Sequence, residues 1–290
     1  MTAIIKKELK TYFTSINGYV FVGVFLLISA FFFGVNNVDT LTPNYGATFL
    51  QLFNVFVIIA PVLTMRLFAE ERRQKTDQLL FTSPLKIRSI VLGKYLASLA
   101  VYAASLAATL LFPLVMSFYT EKAFPWAETL CSFLGFFLLG MCFIAVGIFV
   151  SSLTESQSVA AIATAAALYA FVLLIGNIAL SAPRDRLSSG ICVAVIIIIL
   201  AGLLYYATKN IIIGAIAAAV GIVAMFIVFI INPQLFDGVI YKILNWFSLM
   251  ARFMSFLRGI LNLADIVYYI TFSAVFIFMT VYTIEKRRWR

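Results

Sequence analysis

Apolar runs of about 20 residues recur along most of this chain, each long enough to cross a ~30 Å hydrocarbon core as a helix. In lipid the backbone must satisfy its own hydrogen bonds, and continuous runs of this kind do so only as helices. The ten-residue alternating segments of a membrane β-barrel are absent. Composition points the same way: 63% of the 290 residues are hydrophobic and 11% charged. A soluble domain is nearer half apolar and about a quarter charged, so this chain has more apolar surface than a water-facing fold can bury. The fold class is therefore all-α, a polytopic integral membrane protein with a single membrane domain over 1–290.

Eight spans are predicted, at roughly 18–35, 47–68, 93–118, 127–150, 159–181, 189–207, 210–232 and 265–284. Pro61 and Pro113 are expected to bend their helices. The formal charge of +9 is no sign of nucleic acid, because the basic residues sit at the ends of apolar runs. Inside by this assignment are Lys6, Lys7 and Lys10, the stretch Arg66 to Lys94, Lys209, and the tail Lys286, Arg287, Arg288 and Arg290. Fifteen of the 21 lysines and arginines fall there, which puts both termini in the cytoplasm and requires an even number of spans.

Three segments lie outside the spans. Residues 1–16 carry Ile4, Ile5, Leu9, Tyr12 and Phe13 at helical spacing, with the lysines off that stripe; this reads as an interfacial helix. Between spans two and three, Glu70 with Arg73 and Glu71 with Lys75 are spaced to pair on a helix. Ser83 and Pro84 fit the cap and first position of a second helix running toward Gly93. Residues 236–262 place Lys242, Arg252 and Arg258 on one polar stripe, and a cation at the bilayer centre costs about 2.5–3.5 kcal/mol. That segment is read as amphipathic and lying on the outer face, or dipping in re-entrantly.

Chemistry of its own is not expected here. There is no histidine, so neither a histidine-based nucleophile pair nor a histidine-ligated metal is available. Cys131, Cys142 and Cys192 stand isolated in apolar runs. Gly93-Lys94 is followed by Tyr95 and has Arg88 where a phosphate loop needs its first glycine, so no ATP site is expected in this chain. A transporter or channel working without ATP is the alternative. Gln51, Asn54 and Asn177 are its candidate pathway residues, although hydrogen bonding between helices accounts for them as well.

The run Ala69-Glu70-Glu71-Arg72-Arg73, Thr76, Leu79-Leu80, Thr82-Ser83-Pro84 and Val91-Leu92-Gly93-Lys94 resembles the corresponding loop of ABC-2-type permeases. Within them it is most similar to the gliding-motility-associated and copper-maturation-associated members. Lys6-Lys7-Glu8-Leu9 through Gly18-Tyr19-Val20, Ser151 to Gln157, and Phe256 through Asp265 to Tyr269 match in the same order. The resemblance implies a type V exporter-like membrane domain in a bacterial plasma membrane. It also implies an elbow helix at Ile4–Ser15 and a coupling region over 69–92. The coupling residues would be Glu70, Glu71, Arg72, Arg73, Thr76, Leu79, Leu80, Thr82, Ser83 and Pro84. Lys242, Arg252, Arg258 and Asp265 would belong to an outer-face segment over 236–263. The implied partners are a separate ATPase subunit, which would hold the ATP and Mg, and a second permease as homodimer or heterodimer. Two departures stand out. The family usually has glycine where Lys75 is and an acid where Gln78 is, and 183–232 reads as an extra helix pair.

Overall fold

A computed structural model describes residues 2–40, 42–76, 86–119, 124–174, 190–191, 194, 197, 219–223, 225–226 and 239–288. Every regular element among them is a helix. The chain divides into one compact unit of 1–170 with 252–290 and a second of 171–251. In the second unit the described structure is mainly the helix Val239–Phe247 and the first turn of the helix after it. The predicted sixth and seventh spans, the helix pair over 183–232, and Asn177 fall largely or wholly outside the described residues.

The first unit opens with α1 (Thr2–Thr14) and α2 (Ile16–Phe33), the latter continued by a π-helical turn at Gly34–Val38. A side chain at Gly18 would put its Cβ 2.1 Å from the Tyr12 carbonyl oxygen, so only glycine lets α1 fold back so sharply onto α2. Then come α3 (Gly46–Thr64) and the five-residue α4 (Ala69–Arg73). Next are α5 (Ile87–Thr109), α6 (Leu111–Tyr119), α7 (Trp126–Leu153) and α8 (Gln157–Tyr169). After α9 (Val239–Phe247) and α10 (Leu249–Leu257), α11 (Leu263–Arg288) closes the chain.

Among the described residues, five stretches are long and apolar enough to cross a membrane: Gly18–Val38, Gly46–Arg73, Ile87–Tyr119, Trp126–Leu153 and Leu263–Arg287, with the shorter Gln157–Val172 beside them. They match the predicted first four spans, part of the fifth, and the last. The 33 residues of Ile87–Tyr119 would span about 50 Å as a straight helix, more than the hydrocarbon core, so the stretch extends past it. It breaks at Leu110, three residues before Pro113, whose ring in a continuous helix would clash with the Thr109 carbonyl four residues back. The other end departs from expectation. The start predicted at Ser83 and Pro84 lies outside the described residues, but Lys86 is extended, and α5 runs without a break from Ile87 through Gly93 into the span.

α7 is the central helix. α11, α3 and α8 pack along it, α2 lies between α3 and α5, and α1 rests on α5. Lipid is as apolar as these side chains, so close packing must hold the bundle rather than escape from water. Aromatic rings supply much of it. Phe56 stacks on Tyr102 at 5.0 Å, Phe49 lies 5.0 Å from Phe136, and Phe53 stacks on Phe253 at 5.7 Å, all fully buried.

Candidate functional site

The site is built where α3 ends. A helix leaves its last carbonyls without partners, and here other elements satisfy them. The Tyr12 hydroxyl of α1 donates to the Leu63 carbonyl at 2.7 Å and shares a 3.0 Å bond with the Ser98 hydroxyl of α5. Burial pushes the Tyr12 phenol well above its ordinary pKa, so it stays a neutral donor. Ser151, in the last turn of α7, donates to the Met65 carbonyl at 3.1 Å. Its oxygen also accepts the backbone N–H groups of Phe68 and Ala69 at 3.2 and 3.3 Å, capping α4 from 82 residues away. Lys94 of α5 donates to the Leu67 carbonyl at 2.7 Å.

Lys94 is the hub. Its ammonium is almost wholly buried and bonds Glu71 of α4 at 2.8 Å and Glu8 of α1 at 3.1 Å, lying 5.1 Å from the Phe68 ring centre. A charge taken out of water is tolerated only when paired and fully hydrogen-bonded, and this one has three acceptors for its three protons. Lys7 approaches Glu71 at 4.0 Å from the exposed side. Beside the cluster lies a cavity of about 320 Å³ whose lining includes Lys7, Thr11, Arg66, Glu70 and Gln74. One lysine therefore ties α1, α4 and α5 together.

The charge pairs predicted for α4 are replaced by others, one of them local and two long-range. Glu70 bonds Arg66 at 2.8 Å rather than Arg73, and Glu71 takes Lys94 rather than Lys75. Arg72 meets Glu155 at 2.6 Å and donates to the Leu153 carbonyl at 3.0 Å. The reason is that α4 stops at Arg73, so Lys75 is not on the helix that the expected pairing needs. Lys75 has φ +57, in the left-handed region. Thr76 N–H donates to the Glu71 carbonyl at 2.9 Å and Lys75 N–H to the Arg72 carbonyl at 3.1 Å, the pair of bonds that closes a Schellman motif. That conformation is the one glycine adopts freely, which is why glycine suits this position.

The end of α7 gathers the remaining pieces. The Leu153 carbonyl accepts from Arg72 and, at 3.4 Å, from Arg287 near the end of α11. Cations there also meet the negative end of the helix dipole. The stretches 6–19, 66–76, 151–157 and the basic end of α11 thus meet at one end of the bundle. A family model described as ABC-2 family transporter protein matches residues 2–188, well over half of the chain. The chain belongs to the ABC-2 transporter family. Comparison with curated proteins returned no match. This ABC-2 permease is a multi-pass membrane component of an ABC transporter.

Arg73 is exposed and Thr76 partly so, whereas Leu79, Leu80, Thr82, Ser83 and Pro84 lie outside the described residues. Glu8, Lys94 and Ser151 were not singled out from sequence. Their signals were present: Glu8 sits four residues from both Ile4 and Tyr12, inside the stripe assigned as apolar, and Lys94 is a cation entering an apolar run.

Among the described residues of 236–262, two helices, α9 and α10, stand rather than one. Ser248 interrupts them by accepting the Ala251 N–H at 3.2 Å, an N-cap that starts α10. The three cations of the predicted stripe also part company. Lys242 and Arg258 are exposed, but Arg252 turns in to bond Asp265 of α11 at 2.5 Å, its guanidinium 4.0 Å from the Tyr268 ring centre. Gly259, at φ +75, makes the turn between α10 and α11. Gln51 accepts from Asn36, in the π-helical turn after α2, at 2.9 Å, and Asn54 donates to its own helix at Leu50. Both are exposed on one side of α3. Nearby, Asn37, unremarked in the sequence, is fully buried and bonds Thr42, Asn44 and Thr48.

Proposed function

We propose that this permease is driven by a separate ATPase subunit pushing on the coupling region 69–92, and that it exports its substrate across a bacterial plasma membrane. In this reading both termini and the Lys94 cluster are cytoplasmic. ATP and Mg belong to the partner, and two permease chains form the pathway. One observation carries the proposal. Lys94 joins the elbow helix, the short α4 and the start of a membrane span in one buried ionic cluster. A force applied to α4 would reach α1 through Glu8 and the bundle through α5, because breaking any of these contacts strands a buried charge. The solvent-facing surface of α4 and its cap, with Arg73, Gln74 and Lys75 exposed, is what remains for a partner to grip.

The test is to purify the tagged chain from its native membranes and identify which nucleotide-binding subunit comes with it. ATPase activity of that complex is then measured for the native chain and for Arg73→Glu/Lys75→Glu. The reading predicts a native level of inserted, folded variant with ATPase capture or substrate-stimulated turnover lost. Undiminished capture and turnover would reject it.

A further inference from the structure

We infer that α1 is a binding element for anionic phospholipid headgroups, with Lys6 and Lys10 as its contacts and Lys7 beside them. α1 joins a span through Ser15 alone, so whichever side it occupies it lies at a membrane surface. Its single acid, Glu8, is turned inward onto Lys94, which leaves Lys6, Lys7 and Lys10 as the exposed charges of the helix. Among the described residues neither Lys6 nor Lys10 has an ion-pair partner. Lys6, Lys10 and Phe13 stand at i, i+4 and i+7, so Phe13, at the edge of the apolar stripe read from the sequence, lies in line with the two lysines. Phe13 is 52% exposed, and Ile16 and Tyr19, just past the bend, are 76% and 62% exposed. That line therefore passes from cationic to apolar as it approaches the span, the same order as headgroup and acyl chain in a leaflet. This gradient favours lipid over an acidic protein surface, which would leave Phe13 and Ile16 against water.

The consequence reaches the core of the molecule, because α1 is bolted to α5 and α4 through Glu8, Lys94 and Tyr12. Lipid held on the outer face of α1 steadies that cluster. The inference does not depend on which ATPase drives the permease, so its failure and the failure of that reading are separate events.

The experiment uses the purified full chain in neutral detergent, titrated with short-chain phosphatidylglycerol while thermal unfolding is followed. Short-chain phosphatidylcholine and inorganic phosphate are titrated in parallel. Phosphatidylglycerol should raise the unfolding temperature, less so at high salt, and neither control should match it. Lys6→Gln/Lys10→Gln should weaken the apparent affinity roughly 25-fold, about fivefold per lysine, while Lys6→Arg/Lys10→Arg should keep it. Equal responses of native and glutamine variants would overturn the inference, as would an equal shift with inorganic phosphate. A glutamine variant that binds lipid normally but no longer copurifies an ATPase subunit would assign the face to protein docking instead.

Discussion

At the residue scale the decisive group is Lys94. Its side chain is about 3% exposed, and it neutralises two carboxylates held by different helices. Lys94→Met should therefore cost about 3–5 kcal/mol, because Glu8 is left buried without a cation and Glu71 keeps only the more distant Lys7. Thermal unfolding of the purified variant measures this, and adding Glu8→Gln and Glu71→Gln should restore most of the loss. If the triple variant stays as unstable as the single one, packing rather than charge explains Lys94. Lys75 tests the opposite direction. It is exposed and left-handed at the end of α4, where a side chain strains the backbone. Lys75→Gly should raise stability by about 0.5–1 kcal/mol, read as a small upward shift in unfolding temperature.

At the element scale, α4 and α10 are among the helices too short to hold themselves. Isolated helices need about 12–15 residues even to be marginal, and α4 has five. Its shape is imposed from outside by Ser151 at one end and the Lys75 turn at the other. α10 has nine residues and is held by Phe253 in the aromatic core and by the Arg252–Asp265 pair. Asp265→Asn should destabilise the protein by about 3 kcal/mol, since it leaves a mostly buried guanidinium without its counter-charge. The swap Arg252→Asp/Asp265→Arg should recover part of that. If transport is lost in step with stability, the turn from α10 into α11 braces the bundle. Transport lost at native stability in Arg258→Glu, which is exposed and outside this pair, would mark it as a gate.

At the scale of the whole molecule, the two ends of the bundle are built differently. One is ionic, with Lys94, Glu8, Glu71, Arg72, Glu155 and Arg287 drawn together from five helices or their ends. The other is aromatic and hydrogen-bonded around Phe253, Phe256 and Asn37. Ion pairs at the end that holds α4 suit an end that moves as a unit. Arg73→Glu/Lys75→Glu belongs to this scale: both are exposed, so the fold should change by less than about 0.5 kcal/mol while partner-driven turnover falls. An equal fall in folded yield and turnover would mean that the surface is structural.

The membrane class, the described spans and the helical first segment were legible in the chain itself, because lipid imposes a length and a polarity that show in consecutive residues. The motif order that brought the ABC-2 resemblance was legible too. What only the tertiary structure decided is which charges meet. Glu71 was expected to pair four residues away and instead pairs with Lys94, 23 residues on, and α4 takes its cap from Ser151. Spacing along a helix predicts partners only while the helix lasts. α4 ends after five residues, and beyond that point distance in space, set by the packing of α1, α5 and α7, chooses the partner.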